Sequence, residues 1–323
     1  MSSALPSSEP SSESAQAAPP PAAGRPPAGA YASLGVAALI WSGNAILVKF
    51  LLREIPELAA PSMRITLAAA TLGIVFAARG GRFRFERTQL RSFLAVGFWG
   101  LGLSFFFFTV GLAHTSVSHA VFVGSLTPLA ILLVSWHKGQ ERLSAPHLGA
   151  LFVSLGGVLL LAMDQQGGAS PGWGGDMLLL AGVACLTYYT VRGKQLAKDY
   201  PSLQFNTYCF LAAALWHFPL LVLELTRLPW GAIGWFSWLC LLLSGTLGSC
   251  GAYLAYFHAL RSLRASRAGV IHFLHPPLGT ALGVLFFREI LTTRFLLGAG
   301  LILIGVALAE RRGIGEWRAV SGE

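Results

Sequence analysis

The sequence predicts an all-α integral membrane protein whose ten transmembrane helices form two inverted five-helix repeats. Three observations lead there. The chain of 323 residues is 54% hydrophobic and 11% charged, whereas a soluble domain of this size carries about 25% charge. So few charges cannot coat a water-facing surface, and lipid removes the need for one. Ten apolar stretches then approach the length of about 20 residues that crosses a bilayer. Finally, the stretch beginning at Gly111 recurs in the one beginning at Ala259.

Residues 1–30 are rich in Ser, Pro and Ala, with little to bury, and are expected to be a disordered tail. They lack a charged start followed by an apolar run, so no signal peptide is read there. The first apolar helix then serves as an uncleaved insertion signal. The ten stretches run over 31–51, 60–78, 92–112, 115–136, 147–163, 174–193, 204–225, 231–259, 265–287 and 293–310. The eighth is long enough to include an interfacial turn at its start. The fourth and ninth contain Pro128 and Pro276–Pro277, which predict kinks. Residues 311–323 are expected to form a short tail.

Lys and Arg orient the chain. With the N-terminus in the cytoplasm, 17 of the 23 basic residues fall in inside segments and four (Arg53, Arg227, Arg288, Arg294) in outside loops. This split predicts cytoplasmic termini and insertion in the inner, or plasma, membrane. The formal charge of +9 is spread in short clusters between apolar runs, so nucleic acid is not an expected partner. Cys185, Cys209, Cys240 and Cys250 sit singly in apolar runs without metal-ligand spacing and read as inert buried thiols.

The repeat is in register over a long stretch. An offset of 148 pairs Leu112 with Leu260, Ser118 with Ser266, Pro128 with Pro276 and Glu141 with Glu289. It also pairs Gly97 with Gly245 and Gly100 with Gly248. After one inserted residue, Gly149 pairs with Gly298 and Gly156 with Gly305. The repeats, 31–163 and 174–310, hold five helices each. Five is odd, so the second copy enters the membrane upside down. Two inverted repeats can enclose a site and expose it to each side in turn, which predicts a carrier of small molecules.

The segments WSGNAILVK at Trp41, PSMRITLAAA at Pro61 and GLAHTSVSHAVFVGSLTPLAILL at Gly111 carry a resemblance to a known family. So do the junctions QERLSAPHLGALFVSLGGVLLL at Gln140 and REILTTRFLLGAGLILIGVALA at Arg288. The chain resembles the drug/metabolite transporter superfamily, specifically the EamA-type ten-helix permeases, from residue 31 to about 310. The resemblance implies a ten-helix basket with its cavity between the repeats, and export or import of amino acids, other metabolites or drugs. The second repeat departs from the first where Tyr188 and Tyr189 occupy the Trp41 region, which predicts asymmetric pocket walls.

Candidate substrate-binding residues follow from chemistry inside apolar runs. Lys49 and Arg64 are intramembrane cations; they either recognise a carboxylate or phosphate or snorkel to the interface. Asn44 is a buried amide that bonds to another helix or to substrate. His272 and His275 precede Pro276 and line the cavity, serve packing or carry protons; no third metal ligand accompanies them. Phe105 pairs with Tyr253 and Phe108 with Tyr256 in the repeat register, and Trp41 and Tyr188 add aromatic surface; such rows serve packing or the pocket. Glu141 and Glu289 either carry protons or, as expected here, cap the next helix or pair with a neighbouring Arg. The glycines at 97, 100, 245 and 248 are expected to mark tight helix crossings. No cofactor or metal is expected; the partners are a small-molecule substrate and the bilayer, with a homodimer allowed. A membrane enzyme would need clustered acids or a nucleophile with its base, and a sensor or scaffold would be expected to bring a folded soluble domain. Neither feature is present in the sequence.

Overall fold

The computed structural model describes residues 28–83, 87–137, 145–163, 173–262 and 271–321. Among them every regular element is helical, the one open-ended way to satisfy backbone polar groups inside lipid. Helix α1 spans Ala28–Leu51 and α2 Ala59–Ala78. Next comes a run of α3 (Arg87–Ala95), a π-helical turn (Val96–Gly102) and α4 (Leu103–Ala113). Helices α5 (Val117–Gly124), α6 (Thr127–His137) and α7 (Ala145–Ala162) complete the first repeat. The second holds α8 (Trp173–Leu196), α9 (Ser202–Leu225), α10 (Trp235–Leu243), a π-helical turn (Ser244–Gly251) and α11 (Ala252–Ser262). It ends with α12 (Ile271–Phe287) and α13 (Thr293–Ser321).

Seven helical runs among the described residues are long and apolar enough to cross a membrane. They are Gly29–Leu51, Ala59–Ala78, Gln89–Ala113, Val117–Val134, Trp173–Leu196, Ser202–Leu225 and Trp235–Arg261, with shorter apolar helices at His147–Leu161 and Thr293–Leu308. Lipid is also the solvent that explains the surface. Ile74, Phe152 and Leu285 are each 70% exposed, a cost in water and none in hydrocarbon. Exposed Trp136, Trp173, Trp230 and Trp235 sit at or beside helix ends, where amphipathic indoles favour the headgroup region.

Three local features depart from the expected pattern of elements. The fourth apolar stretch is two helices, broken at Ser125–Leu126 just ahead of Pro128. Proline lacks an N–H, and Pro128 falls in the first turn of the helix that follows, where that donor has no intrahelical acceptor. Hydroxyls of Ser125 and Thr127 donate to the carbonyls of Phe122 (2.6 Å) and Gly124 (2.7 Å) at the break. The last helix continues through Arg311, Arg312 and Arg318 to Ser321, past the expected end at 310. At the other end, α1 already begins at Ala28, and the Ser/Pro/Ala tail before it lies outside the described residues.

The two π-helical turns open at Val96 and Ser244, positions separated by the offset of the sequence repeat. Both are glycine-rich and both receive a close neighbour, backbone at the first turn and side chain at the second. A Cβ on Gly97 would lie 2.6 Å from the Ala212 Cβ, and one on Gly100 would lie 2.8 Å from the Tyr189 Cβ. The corresponding Cβ on Gly245 would lie 2.8 Å from Leu67. His217 of α9 secures the first turn, donating from Nε2 to Gly102 O (3.1 Å) while Nδ1 accepts from Ser62 Oγ (2.9 Å).

Packing between the repeats is reciprocal. Helix α2 packs on α9 and α7 on α13, each pair joining equivalent helices. Helix α1 packs on α11 and α12, and α8 on their counterparts α4, α5 and α6. The α7–α13 contact is backbone to backbone: a Cβ on Gly157 would stand 2.6 Å from Gly298 O, and one on Gly298 would stand 2.8 Å from Gly157 O. Small residues let helices approach closely where lipid leaves dispersion as the main attraction. Helix α2 ends in a Schellman cap. Gly80 takes φ +76°, Gly81 N–H donates to Phe76 O and Gly80 N–H to Ala77 O, both at 2.9 Å.

Candidate functional site

Helix α1 places Trp41 and Asn44 three residues apart, on one face. Helix α4 does the same with Ser104, Phe105 and Phe108, and α8 with Leu179, Gly182, Val183 and Leu186. These faces, with Arg64 from α2, Tyr253 from α11 and His275 from α12, enclose a cavity of about 110 Å³ between the repeats. Its wall is mostly apolar, and no acidic side chain lines it among the described residues.

Arg64 is the charged member. It is 2% exposed. Its Nε donates to Ser244 Oγ at 2.6 Å and Nη1 to Thr109 Oγ1 at 3.0 Å. The guanidinium carbon stands 4.9 Å from the Phe105 ring centroid, a cation–π distance. It therefore does not snorkel to an interface. Ser244 opens the second π-helical turn, so this one side chain ties both repeats together.

Aromatic rings form the apolar wall. Trp41 meets Tyr253 at 5.3 Å between centroids, edge to face, and Tyr253 meets Phe105 at 5.9 Å. Two polar atoms at this wall, Asn44 Oδ1 and His275 Nε2, are buried with no hydrogen-bond partner among the described residues. Gly248 makes room for the Asn44 amide; a Cβ there would collide with Oδ1. This glycine sits in a helix crossing and in the cavity wall at once.

Of the sequence candidates, Trp41, Asn44, Arg64, Phe105, Tyr253 and His275 come together at the cavity. Lys49, Tyr188 and Tyr256 lie elsewhere, and the His272 side chain is outside the described residues. Lys49 Nζ donates to Leu112 O (2.7 Å) and Thr115 O (2.6 Å), closing the C-terminal end of α4. Tyr256 is 2% exposed and packs behind Trp41 at 5.3 Å. Tyr188 packs beside the core cluster that contains Tyr189.

Glu289 differs from expectation. Its carboxylate caps not the next helix but α5, in the other repeat. Oε1 accepts from Val117 N–H at 2.7 Å, and Oε2 from Ser118 N–H at 3.0 Å and from the Ser118 hydroxyl. Arg288, with φ 51°, supplies the left-handed turn that aims it. Sequence spacing cannot reveal a partner 171 residues away. Its repeat counterpart Glu141 lies outside the described residues. Asp176, which sequence reasoning passed over, is 2% exposed in the first turn of α8. It accepts from Thr115 Oγ1 at 3.1 Å and faces His119 Nδ1 at 3.4 Å. An acid opening an apolar helix was the available signal. Lys49, Glu289 and Asp176 thus all engage the 112–119 segment. Ser104, Thr109, Thr127 and Ser244 were also missed, being common hydroxyl residues that only the fold singles out.

The model of the EamA-like transporter family matches residues 30–163 and 173–310. "Uncharacterized transporter YetK" of Bacillus subtilis (strain 168) is 22% identical over 214 residues, 65% of this chain and 65% of its own length. An "Uncharacterized transporter" of Archaeoglobus fulgidus is 23% identical over 279 residues, 86% of this chain and 98% of its own. "Uncharacterized transporter YyaM" of Bacillus subtilis is 27% identical over 195 residues, 54% of this chain and 61% of its own. Against two of these three relatives the match therefore spans less than two thirds of their length. One solved crystal structure superposes with a TM-score of 0.62 at 22% identity, covering 87% of this chain and 96% of that one. At that identity the likeness is one of fold.

Proposed function

The chain belongs to the EamA-like transporter family, and on that premise we propose that it is a secondary permease working by alternating access in the inner membrane. Its cargo is a small amphipathic metabolite, such as an amino acid or related compound. Ten helices in two inverted repeats, with both termini in the cytoplasm, form the machine. One observation carries this reading: a mainly apolar, aromatic cavity between the repeats holds a buried cation and two polar atoms without described partners. Such a wall grips an apolar body while a few polar points fix its orientation.

The contacts around the cavity support the alternating step. Equivalent helices pair across the repeats, so rocking one repeat against the other preserves those pairs while changing which end of the cavity is closed. The Glu289 clasp on α5 joins the repeats at the α5 N-terminus and acts as a latch on that side. On the charge-derived topology that side is the outside. The conformation described is then the outward-closed one.

The test is flux of a metabolite panel into and out of sealed proteoliposomes containing the full chain. At least one solute should exchange across the membrane. Trp41→Ala and Tyr253→Ala should each lower its rate about tenfold or more, the cost of losing one well-packed aromatic contact. Absence of protein-dependent exchange for every solute in the panel, or full rates in both variants, would sink the proposal.

A further inference from the structure

The cavity presents an unusual charge balance. One guanidinium is buried at its wall, and among the described residues no carboxylate pairs with it or lines the same space. A buried charge is costly unless paired, and inside a membrane an ionisable side chain with no oppositely charged partner points to a ligand. Ser244 and Thr109 take two of the five guanidinium N–H donors. They are neutral acceptors, so they hold the fork in place and leave its charge uncompensated. Phe105 braces its face.

Resting on the permease reading above, we propose that Arg64 makes this cavity a monocarboxylate site, with the solute supplying the anion that the protein withholds. The remaining N–H donors suit the two oxygens of one carboxylate, the planar match that guanidinium makes best. A doubly charged phosphate would need a second cation, and among the described residues no Lys or second Arg lines the cavity. The apolar wall of Trp41, Phe105, Phe108, Leu186 and Tyr253 takes the rest of the solute. Its size is limited: the cavity of about 110 Å³ is smaller than the roughly 150 Å³ space that holds a benzene. A short branched chain fills it. Asn44 Oδ1 and His275 Nε2, buried at the edge of this wall without a described partner, could accept from an N–H or O–H on that body only after a side-chain shift. The Trp41 main chain binds the other nitrogen of the His275 ring, which leaves Nε2 as an acceptor. Because Arg64 touches one repeat through Thr109 and the other through Ser244, the bound carboxylate sits on the seam along which the repeats move.

The experiment compares 4-methylpentanoate, its carboxamide, 4-methylpentylamine and inorganic phosphate on the purified full chain in nanodiscs. Binding is read by thermal unfolding and by Trp fluorescence, and transport is read in parallel in sealed proteoliposomes. In the natural protein the carboxylate should bind about tenfold or more tightly than the amide, the gain of a charge-assisted over a neutral hydrogen bond. The amine and phosphate should bind more weakly still. Arg64→Gln should erase the preference to within about twofold, and Arg64→Lys, which keeps the charge but loses the planar fork, should restore part of it. The proposal is overturned if amide, amine or phosphate matches the carboxylate, if none of the four binds, or if Arg64→Gln keeps the preference. Should Arg64→Gln fail to fold, the comparison on the natural protein decides alone. A carboxylate that binds while no solute of either panel crosses the membrane leaves the site standing and removes the permease reading. An amide or amine that crosses while the carboxylate does not leaves the permease and removes this site.

Discussion

Glu289 concentrates several interactions in one carboxylate: two backbone N–H groups and one hydroxyl of α5 converge on it. The first N–H groups of a helix have no intrahelical acceptor, and a negative charge at that end is also favoured by the helix dipole. Glu289→Gln keeps the shape but loses the charge and replaces one acceptor with a donor. It should lower stability by about 1–3 kcal/mol, read as a fall in the thermal unfolding midpoint in detergent; an unchanged midpoint would remove the clasp. Glu54 gives a second residue-scale prediction. The Ser237 hydroxyl and the Gly234 N–H (2.7 Å) hold its carboxylate below the ordinary value of 4.5. A group depressed in the folded state contributes above its ordinary pKa and loses that contribution as pH falls through the depressed one. Amide exchange at Gly234 should therefore stay protected at neutral pH and quicken below about pH 4.5. In Glu54→Gln the exchange should be insensitive to pH over that window once intrinsic rates are divided out. Arg64 was legible as a candidate because a cation in an apolar run is conspicuous. Its partners were not, since Ser244 is 180 residues away.

At the scale of elements, the α7–α13 seam separates two adjacent glycines. Gly157 faces the Gly298 carbonyl, whereas a Cβ on Gly156 meets nothing within 4 Å. Gly157→Ala should therefore destabilise by about 1–3 kcal/mol through overpacking. Gly156→Ala should be neutral or stabilise by up to about 1 kcal/mol, because Ala is the better helix former. Thermal unfolding of the two variants side by side checks both; equal effects would mean the seam is placed wrongly. The π-helical turns show how much of this level the sequence reveals. The offset of 148 marks the two segments as equivalent, and glycines mark them as places of close approach. Neither signal says that the helix widens there, because widening depends on which neighbour presses in. Likewise Pro128 announces a disturbance in the fourth apolar stretch, but whether it bends or breaks the helix depends on the packing around Ser125.

For the whole molecule, the 17-to-4 distribution of Lys and Arg and the reciprocal packing of equivalent helices support the same topology. Tags at the N- and C-termini of cells carrying the full chain should both be shielded from an impermeant reagent added outside and both react after the membrane is opened. Single cysteines introduced at Gly231 and Gly174, in exposed positions on the opposite side of that topology, should react from outside without opening. One terminus labelled from outside would mean an odd number of crossings and would end the inverted-repeat reading.

The sequence by itself determined the solvent and the plan of the molecule: too few charges for water, apolar stretches of spanning length, and a repeat in register. These are sums and periods along the chain, so they survive without knowledge of contacts. It also picked out Trp41, Asn44, Arg64, Phe105, Tyr253 and His275, because polar or aromatic groups in an apolar run are few and each must be satisfied. The tertiary structure alone decided that these six meet while Lys49, Tyr188 and Tyr256 do not, that Glu289 reaches into the other repeat, and that Arg64 rests on hydroxyls instead of a carboxylate. Those outcomes depend on the rotation of each helix about its axis and on its crossing partners. Local composition carries almost none of that information, because every face of these helices is apolar enough to meet either lipid or protein.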